Sequence, residues 1–335
     1  MNLIDKSELY PLLFDPIYVE IMWGGNLMST FLGRNLPERD TPIAESWEIS
    51  DREGAESIIE NGILAGTSIR ELLDEYGKSF AGNVYDEGAR FPLLVKLIDA
   101  GKRLSLQVHP DEIACEKLPG AEPKTEMWYV IAATPEAKII AGLKHNSTQR
   151  KFLDSVGSEN IEDCLQIFKS EPGDAYYINS GTVHAIGGGN LLLEIQQNSN
   201  TTYRISDWGR VGLDGKPREL HIEEALQSVN FADRSSPRIC GPSDSAHHNR
   251  KFPIVNRCPF FKVEDLRLVE NWMDRTDGES LHLITSINHS ITIEGKGDDV
   301  IVERGRSCII PANYGRYYIN IGEENESTVV KTILK

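Results

Sequence analysis

Short apolar runs, many alternating with polar residues, recur along most of this chain and predict strands. Residues 91–98, 104–109, 127–131, 138–142, 175–178, 191–197 and 202–206 all have this pattern. Residues 57–60 and 63–64 flank Asn61-Gly62, a pair suited to a type I′ turn, so a hairpin is expected there. Period-3.6 patterning predicts a helix over 68–76, with Ser68 as N-cap and Glu71 completing a capping box. Shorter helical patterns occur near 148–156, 160–169 and 221–231. Residues 234–245, rich in Pro, Ser and Gly, read as a linker. Beyond about residue 252 only strand patterns follow, at 260–268, 281–285, 290–293, 300–302 and 328–334. The expected fold is mainly β, built from barrels or sandwiches, with a few helices on the first part.

A weak echo links the two parts. Glu171-Pro172-Gly173-Asp174 leads through Tyr176-Tyr177-Ile178 to Gly181 and His184, and Glu303-Arg304-Gly305-Arg306 leads through Ile309-Ile310-Pro311 to Asn313. The second copy lacks the histidine, so of two similar barrels only the first should hold a metal.

Length and charge narrow the function. The 335 residues suffice for two packed domains, and 40% hydrophobic content argues against disorder. A net charge of −16 argues against nucleic acid as a partner but leaves room for a small anionic substrate beside a few focused Lys and Arg residues. The first residues show no basic segment followed by an apolar one, and no apolar run is long enough to span a membrane. Five scattered cysteines without a Cys-x-x-Cys pair fit reduced thiols. A cytoplasmic location and no membrane partner are expected.

The chemistry concentrates in 103–110 and 124–128. On a strand, Ser105, Gln107 and His109 share one face while Leu104, Leu106 and Val108 share the other. So polar an inner face is destabilising unless a metal or ligand satisfies it. Gln107, His109, Glu126 and His184 are candidate ligands for zinc or another divalent cation. Each alone has an ordinary explanation, a hydrogen-bonded histidine or a solvated carboxylate at a strand end. Their combination is what points to a metal. Gly187-Gly188-Gly189 is no phosphate loop, since no Gly-Lys-Ser/Thr follows, and suits a hairpin instead.

Four longer motifs carry a family resemblance: Gln107-Val108-His109-Pro110-Asp111, Lys124-Thr125-Glu126-Met127-Trp128, Gly181-Thr182-Val183-His184-Ala185, and residues 194–204 ending in Tyr203-Arg204. With Ile21-Met22-Trp23-Gly24-Gly25 and Ala44-Glu45-Ser46-Trp47-Glu48, the chain resembles type I mannose-6-phosphate isomerases in their short bacterial form, over nearly its whole length. The resemblance implies two cupin-like (jelly-roll) barrels: residues 1–245 as a metal-binding catalytic domain with helical additions, and 246–335 as a cupin-like domain without metal ligands. It implies one zinc ion per chain on His109, Glu126 and His184, with Gln107 matching a fourth ligand of the longer forms. It implies interconversion of mannose 6-phosphate and fructose 6-phosphate, by a monomer or homodimer. Arg204 matches the catalytic arginine, Lys124 a lysine proposed for proton transfer, and Lys96 and Ser105 positions associated with substrate phosphate. The chain is too short for the helical insertion of the longer forms, and Asn179 stands where cupins usually have proline.

Such an isomerisation moves a proton between C1 and C2 through a cis-enediol. It needs a base with a pKa near the working pH and a stabilised oxyanion. Lys124 beside a cation, or Glu194 on the strand leading to Arg204, could serve as the base; Glu194 equally suits a partner of His184 or Arg204. Arg204 stays protonated and suits the oxyanion. Two other readings compete. A metal-dependent cupin oxygenase would normally carry His-x-His where Gln107-Val108-His109 stands, and a non-catalytic sugar-phosphate-binding cupin would not need Lys124, Glu194 and Arg204 together.

Overall fold

A computed structural model describes residues 4–211, 215–242, 247–324 and 326–335. The expectations on Met1–Leu3 and on the linker's end at 243–245 lie outside the described residues. Strands dominate and helices are few, as the patterning predicts. Among the described residues no helix is long and apolar enough to cross a membrane.

The chain divides into two compact units, each discontinuous in sequence. One joins the C-terminal segment from Pro242 to residues 1–17 and 46–96. Its larger antiparallel sheet runs in the order Leu12–Leu13, Ser307–Ile310, His282–Ser286, Ser327–Leu334, Phe261–Leu268 and Arg250–Val255. Trp272–Arg275, Arg316–Asn320, Ile291–Glu294 and Val300–Val302 form a second sheet. Leu266, Ile284 and Val329 of the first sheet bury against Ile291, Ile293 and Ile319 of the second. N-terminal residues join this unit through backbone pairing, Leu12 opposite Ile309 and Leu13 opposite Cys308. The Ile69–Ala81 helix carries the expected capping box, Ser68 with Glu71. Its C-terminal end is tied to the same unit by Ala312 N–H donating to the Phe80 carbonyl at 2.8 Å.

The Asn61-Gly62 hairpin does not form. Asn61 instead accepts from the Leu13 N–H at 2.9 Å and donates to the Pro11 carbonyl at 3.0 Å, so its side chain serves the first strand. Gly62 is needed at φ +65 because a Cβ there would strike the Tyr10 ring. Ile63, expected in a strand, is 55% exposed.

The second unit holds residues 18–45 and 97–241. A five-stranded sheet runs Leu165–Lys169, Lys138–Leu143, His184–Ile186, Leu106–Val108, Tyr203–Ser206. Facing it are Arg238–Ile239, Ala175–Ile178, Glu126–Ala133 and Asn190–Gln197, followed in the same sheet by Leu93–Ala100, Ile43–Ile49 and Ile17–Glu20, the strands in which the chain passes between units. Ile139, Ala141 and Ile186 of the smaller sheet pack against Trp128, Val130, Tyr176 and Leu192 of the larger. The opposite face of the smaller sheet presents Leu106, Val108, Ile140 and Ala185 to Phe152 and Ala225 of the Gln149–Ser155 and Ile222–Ser228 helices. Period-two alternation thus sorts each strand between an inner core and a helical layer. The helix expected over 160–169 is only a 3-10 turn, Glu159–Cys164, followed by strand Leu165–Lys169. That segment pairs with Lys138–Leu143, and the ladder outweighs local helical patterning.

Asp99 explains Gly25 of the Gly24-Gly25 motif. Its Oδ2 accepts from the Met28 N–H at 2.7 Å, satisfying the start of the Leu27–Thr30 helix, and a Cβ on Gly25 would lie 2.1 Å from Oδ1. The carboxyl is fully buried, and burial pushes its pKa up from 3.8 to about 6. Between those values the folded chain keeps a proton that the unfolded chain has lost, so ionisation opposes folding and stability falls as pH rises. Denaturant titrations of wild type and Asp99→Asn across pH 4–6 should therefore diverge, wild type losing on the order of 2–3 kcal/mol relative to the variant as pH rises. A pH-independent difference would contradict this account of Asp99.

Candidate metal centre

Antiparallel register places the polar residues in a row on the inner face. Arg204 lies opposite Gln107, Gln107 opposite His184, and His184 opposite Ala141. Directly opposed residues share a face, so this row continues the one occupied by Ile186 and Ile139. From the facing sheet, Glu126 starts its strand with Trp128 two positions on, on the same side. Three strands thus bring the His, Glu and Gln side chains to one end of the apolar core, and a fourth adds Arg204.

His109, Glu126 and His184 converge, with their ligand atoms all within 4.8 Å of one another and all three buried. Among the described residues this is the one such group found. His109 Nε2 is 3.3 Å from Glu126 Oε2, and His184 Nε2 is 3.5 Å from Glu126 Oε1. Tetrahedral ligands at roughly 2.1 Å from a zinc ion would stand about 3.4 Å apart. His109 Nδ1 bonds the Thr201 carbonyl and His184 Nδ1 the Thr182 carbonyl, each at 2.8 Å. A carbonyl only accepts, so each Nδ1 must carry the proton and each Nε2 offers a lone pair. Both Glu126 oxygens are buried without a directed hydrogen bond. The donor set therefore fits a divalent cation.

Electrostatics agree. Burial pushes the His184 imidazole down to about 3, and burial together with the Lys124 ammonium lowers His109. For Glu126 burial pushes upward, but the Lys124 ammonium outweighs it and holds the carboxyl well below its ordinary value. Neutral imidazoles around an ionised carboxylate are the protonation states a metal needs.

Gln107 Nε2 stands 3.2 Å from His184 Nε2, and Ser105 Oγ donates to Gln107 Oε1 at 3.4 Å. The amide's oxygen and nitrogen exchange by a half-turn, so Gln107 can present oxygen to the same point. Lys124, 5% exposed, lies 2.8 Å from Glu126 Oε2 and 3.2 Å from His109 Nε2. Arg204 Nη1 donates to the Glu219 carbonyl at 2.7 Å, its Nε is buried without a partner, and its backbone N–H donates to His221. Glu194 accepts from the Trp128 indole at 2.9 Å, and that indole meets His184 edge-on at 5.3 Å. Lys96, in the strand Leu93–Ala100, has its ammonium 5.1 Å from the Trp47 ring. Sequence reasoning missed the Thr182 and Thr201 carbonyls, because a backbone acceptor has no side-chain signature. Asn179, at the cupin proline position, accepts from Thr125 Oγ1 at 3.3 Å.

Comparison with known proteins gives a consistent picture. A family model described as the catalytic domain of type I phosphomannose isomerase matches residues 12–142. The probable mannose-6-phosphate isomerase GmuF of Bacillus subtilis is 38% identical over 312 residues, covering 92% of this chain and 96% of that protein. Mannose-6-phosphate isomerase ManA of the same organism is 41% identical over 259 residues, 76% of this chain and 78% of that protein. A crystal structure of the B. subtilis mannose 6-phosphate isomerase superposes with a TM-score of 0.82 at 29% identity, covering 97% of this chain and 99% of that one. A putative mannosephosphate isomerase from Archaeoglobus fulgidus, at 21% identity and TM-score 0.76, shares the fold across 97% of this chain and 98% of that one.

Removing ligands should separate the roles. His184→Ala should abolish tight binding of a divalent metal, read by metal analysis after dialysis. Gln107→Ala, which removes one candidate donor and leaves the other three, should weaken it less than His184→Ala does. Full metal retention by a folded His184→Ala protein would remove that residue from the centre.

Proposed function

The chain belongs to the type I phosphomannose isomerases, and from that premise we propose that it interconverts mannose 6-phosphate and fructose 6-phosphate with zinc held by His109, Glu126 and His184, Gln107 standing as the fourth ligand. The observation that carries this reading is the convergence of two Nε2 lone pairs and a buried carboxylate on one point. Bound there, zinc would act as a Lewis acid toward the sugar oxygens. The remaining work falls to side chains around it.

Lys124 is the preferred proton carrier between C1 and C2. Its ammonium stands against Glu126 and His109, close to where the reacting carbons would lie, whereas the Glu194 carboxylate accepts from Trp128. Glu194 then serves to orient Trp128 against His184. Arg204 would stabilise the enediolate oxygen. Its free Nε supplies donor capacity, and its register opposite Gln107 favours that task. Ser105 and Lys96, matched to phosphate contacts, complete the reading. Burial of His109, Glu126 and Lys124 keeps water from competing for these charges.

Treatment with a chelator should abolish isomerase turnover, and zinc should restore it; undiminished turnover by metal-free protein would end the metal-dependent reading. Arg204→Ala should lower kcat by about 10²–10³-fold with metal content unchanged. Lys124→Met should abolish both turnover and solvent-deuterium exchange at C2, while Glu194→Gln should retain exchange. The opposite pattern would make Glu194 the base. Binding of mannose 6-phosphate without conversion would favour a sensor, and oxygen uptake by iron-loaded protein an oxygenase.

A further inference from the structure

Strand Tyr203–Ser206 presents Arg204 to the inner row and then enters a turn dense in positive charge. Arg218 Nε donates to Asp207 Oδ2 at 2.9 Å, and the Nη2 groups of both Arg218 and Arg210 donate to Asp207 Oδ1. Asp207 is 7% exposed, so one nearly buried carboxylate balances two guanidiniums. The Arg204 charge is disfavoured first by burial and then by Arg218 and Arg210, and is supported by Asp207. The three arginines and the aspartate therefore form one electrostatic group.

The turn itself is constrained. Trp208 has φ +58, the one non-glycine residue with positive φ among the described residues. Such a conformation persists only where the surroundings over-determine it, and it tends to occur at functional sites. Here the indole donates to the Leu104 carbonyl at 2.7 Å and lies beneath the Arg103 guanidinium at 3.2 Å, while Arg210 also donates to the Arg103 carbonyl. The segment after Arg204 is thereby pinned to the segment directly ahead of Ser105 and Gln107.

We propose that Asp207 is a positioning residue: by neutralising Arg210 and Arg218 and closing the Trp208 turn, it holds the Arg204 guanidinium in the site against repulsion from its neighbours. The proposal rests on the role given above to Arg204. Without the carboxylate, three like charges in a partly buried setting, where solvent screens them poorly, would repel one another and displace the functional one.

Asp207→Asn preserves shape and removes the charge. It should lower kcat for mannose 6-phosphate by roughly 10–100-fold, the scale of a 1 Å misplacement, with bound metal unchanged and KM not raised. High salt should recover part of the loss, because screening substitutes for the missing charge. Asp207→Glu should be close to wild type. Asp207→Asn/Arg210→Gln, which again lowers the positive charge, should regain most of kcat. If Asp207→Asn does not fold, the double variant carries the test: folded, metal-loaded and active supports the proposal, and folded, metal-loaded but inactive overturns it. Full activity of Asp207→Asn, or a loss insensitive to both salt and Arg210→Gln, also overturns it. A wild-type protein without isomerase activity would instead refute the functional reading on which this rests.

Discussion

Glu126 keeps its charge at complete burial, and much of the second unit is arranged around that fact. An isolated carboxylate in such a setting would take up a proton or destabilise the fold. Here Lys124 and two imidazoles surround it, and each imidazole is fixed by a carbonyl on its far side. The arrangement leaves the carboxylate oxygens without directed hydrogen bonds, a cost that a cation can offset. The geometry that makes the centre expensive for folding is what makes it available for binding.

Sheet register turns this local problem into an organised site. Opposed positions on Tyr203–Ser206, Leu106–Val108 and His184–Ile186 lay Arg204, Gln107 and His184 in one row, while the alternate residues feed the helical layer. A one-residue slip in any of these strands would send its functional side chain to the helices. The apolar core beneath, with Trp128 against His184, holds the imidazole plane, and Glu194 holds the indole. Precision at the centre is inherited from packing several residues away.

The other unit shows the same kind of turn and strand put to different use. Glu303 to Arg306 leads into Ser307–Ile310 much as Glu171 to Asp174 leads into Ala175–Ile178. Several of its buried polar groups pair with one another: His282 with Tyr317 at 2.8 Å, and Lys331 with Asp274 at 2.7 Å and Glu264 at 3.0 Å. Such pairing stiffens a core, and among the described residues no metal-holding cluster lies in this unit.

The amino-acid order alone determined the strand-rich character, the Ser68 cap, the shared face of Ser105, Gln107 and His109, and, through long motifs, the candidate ligands and the family. These depend on period and on local hydrogen bonding, which nearest neighbours in the chain control. Other features were decided only in three dimensions. The grouping of 242–335 with 1–17 and 46–96 depends on strand pairing across hundreds of residues. Asn61 left its expected turn to serve a strand fifty residues away, and 165–169 became a strand because a ladder was waiting for it. The protonated nitrogen of His109, the partner of Glu194 and the hold of Asp207 on Arg218 are set by atoms that touch only after folding. No local pattern encodes them, because their energies arise from contacts whose members are remote in sequence.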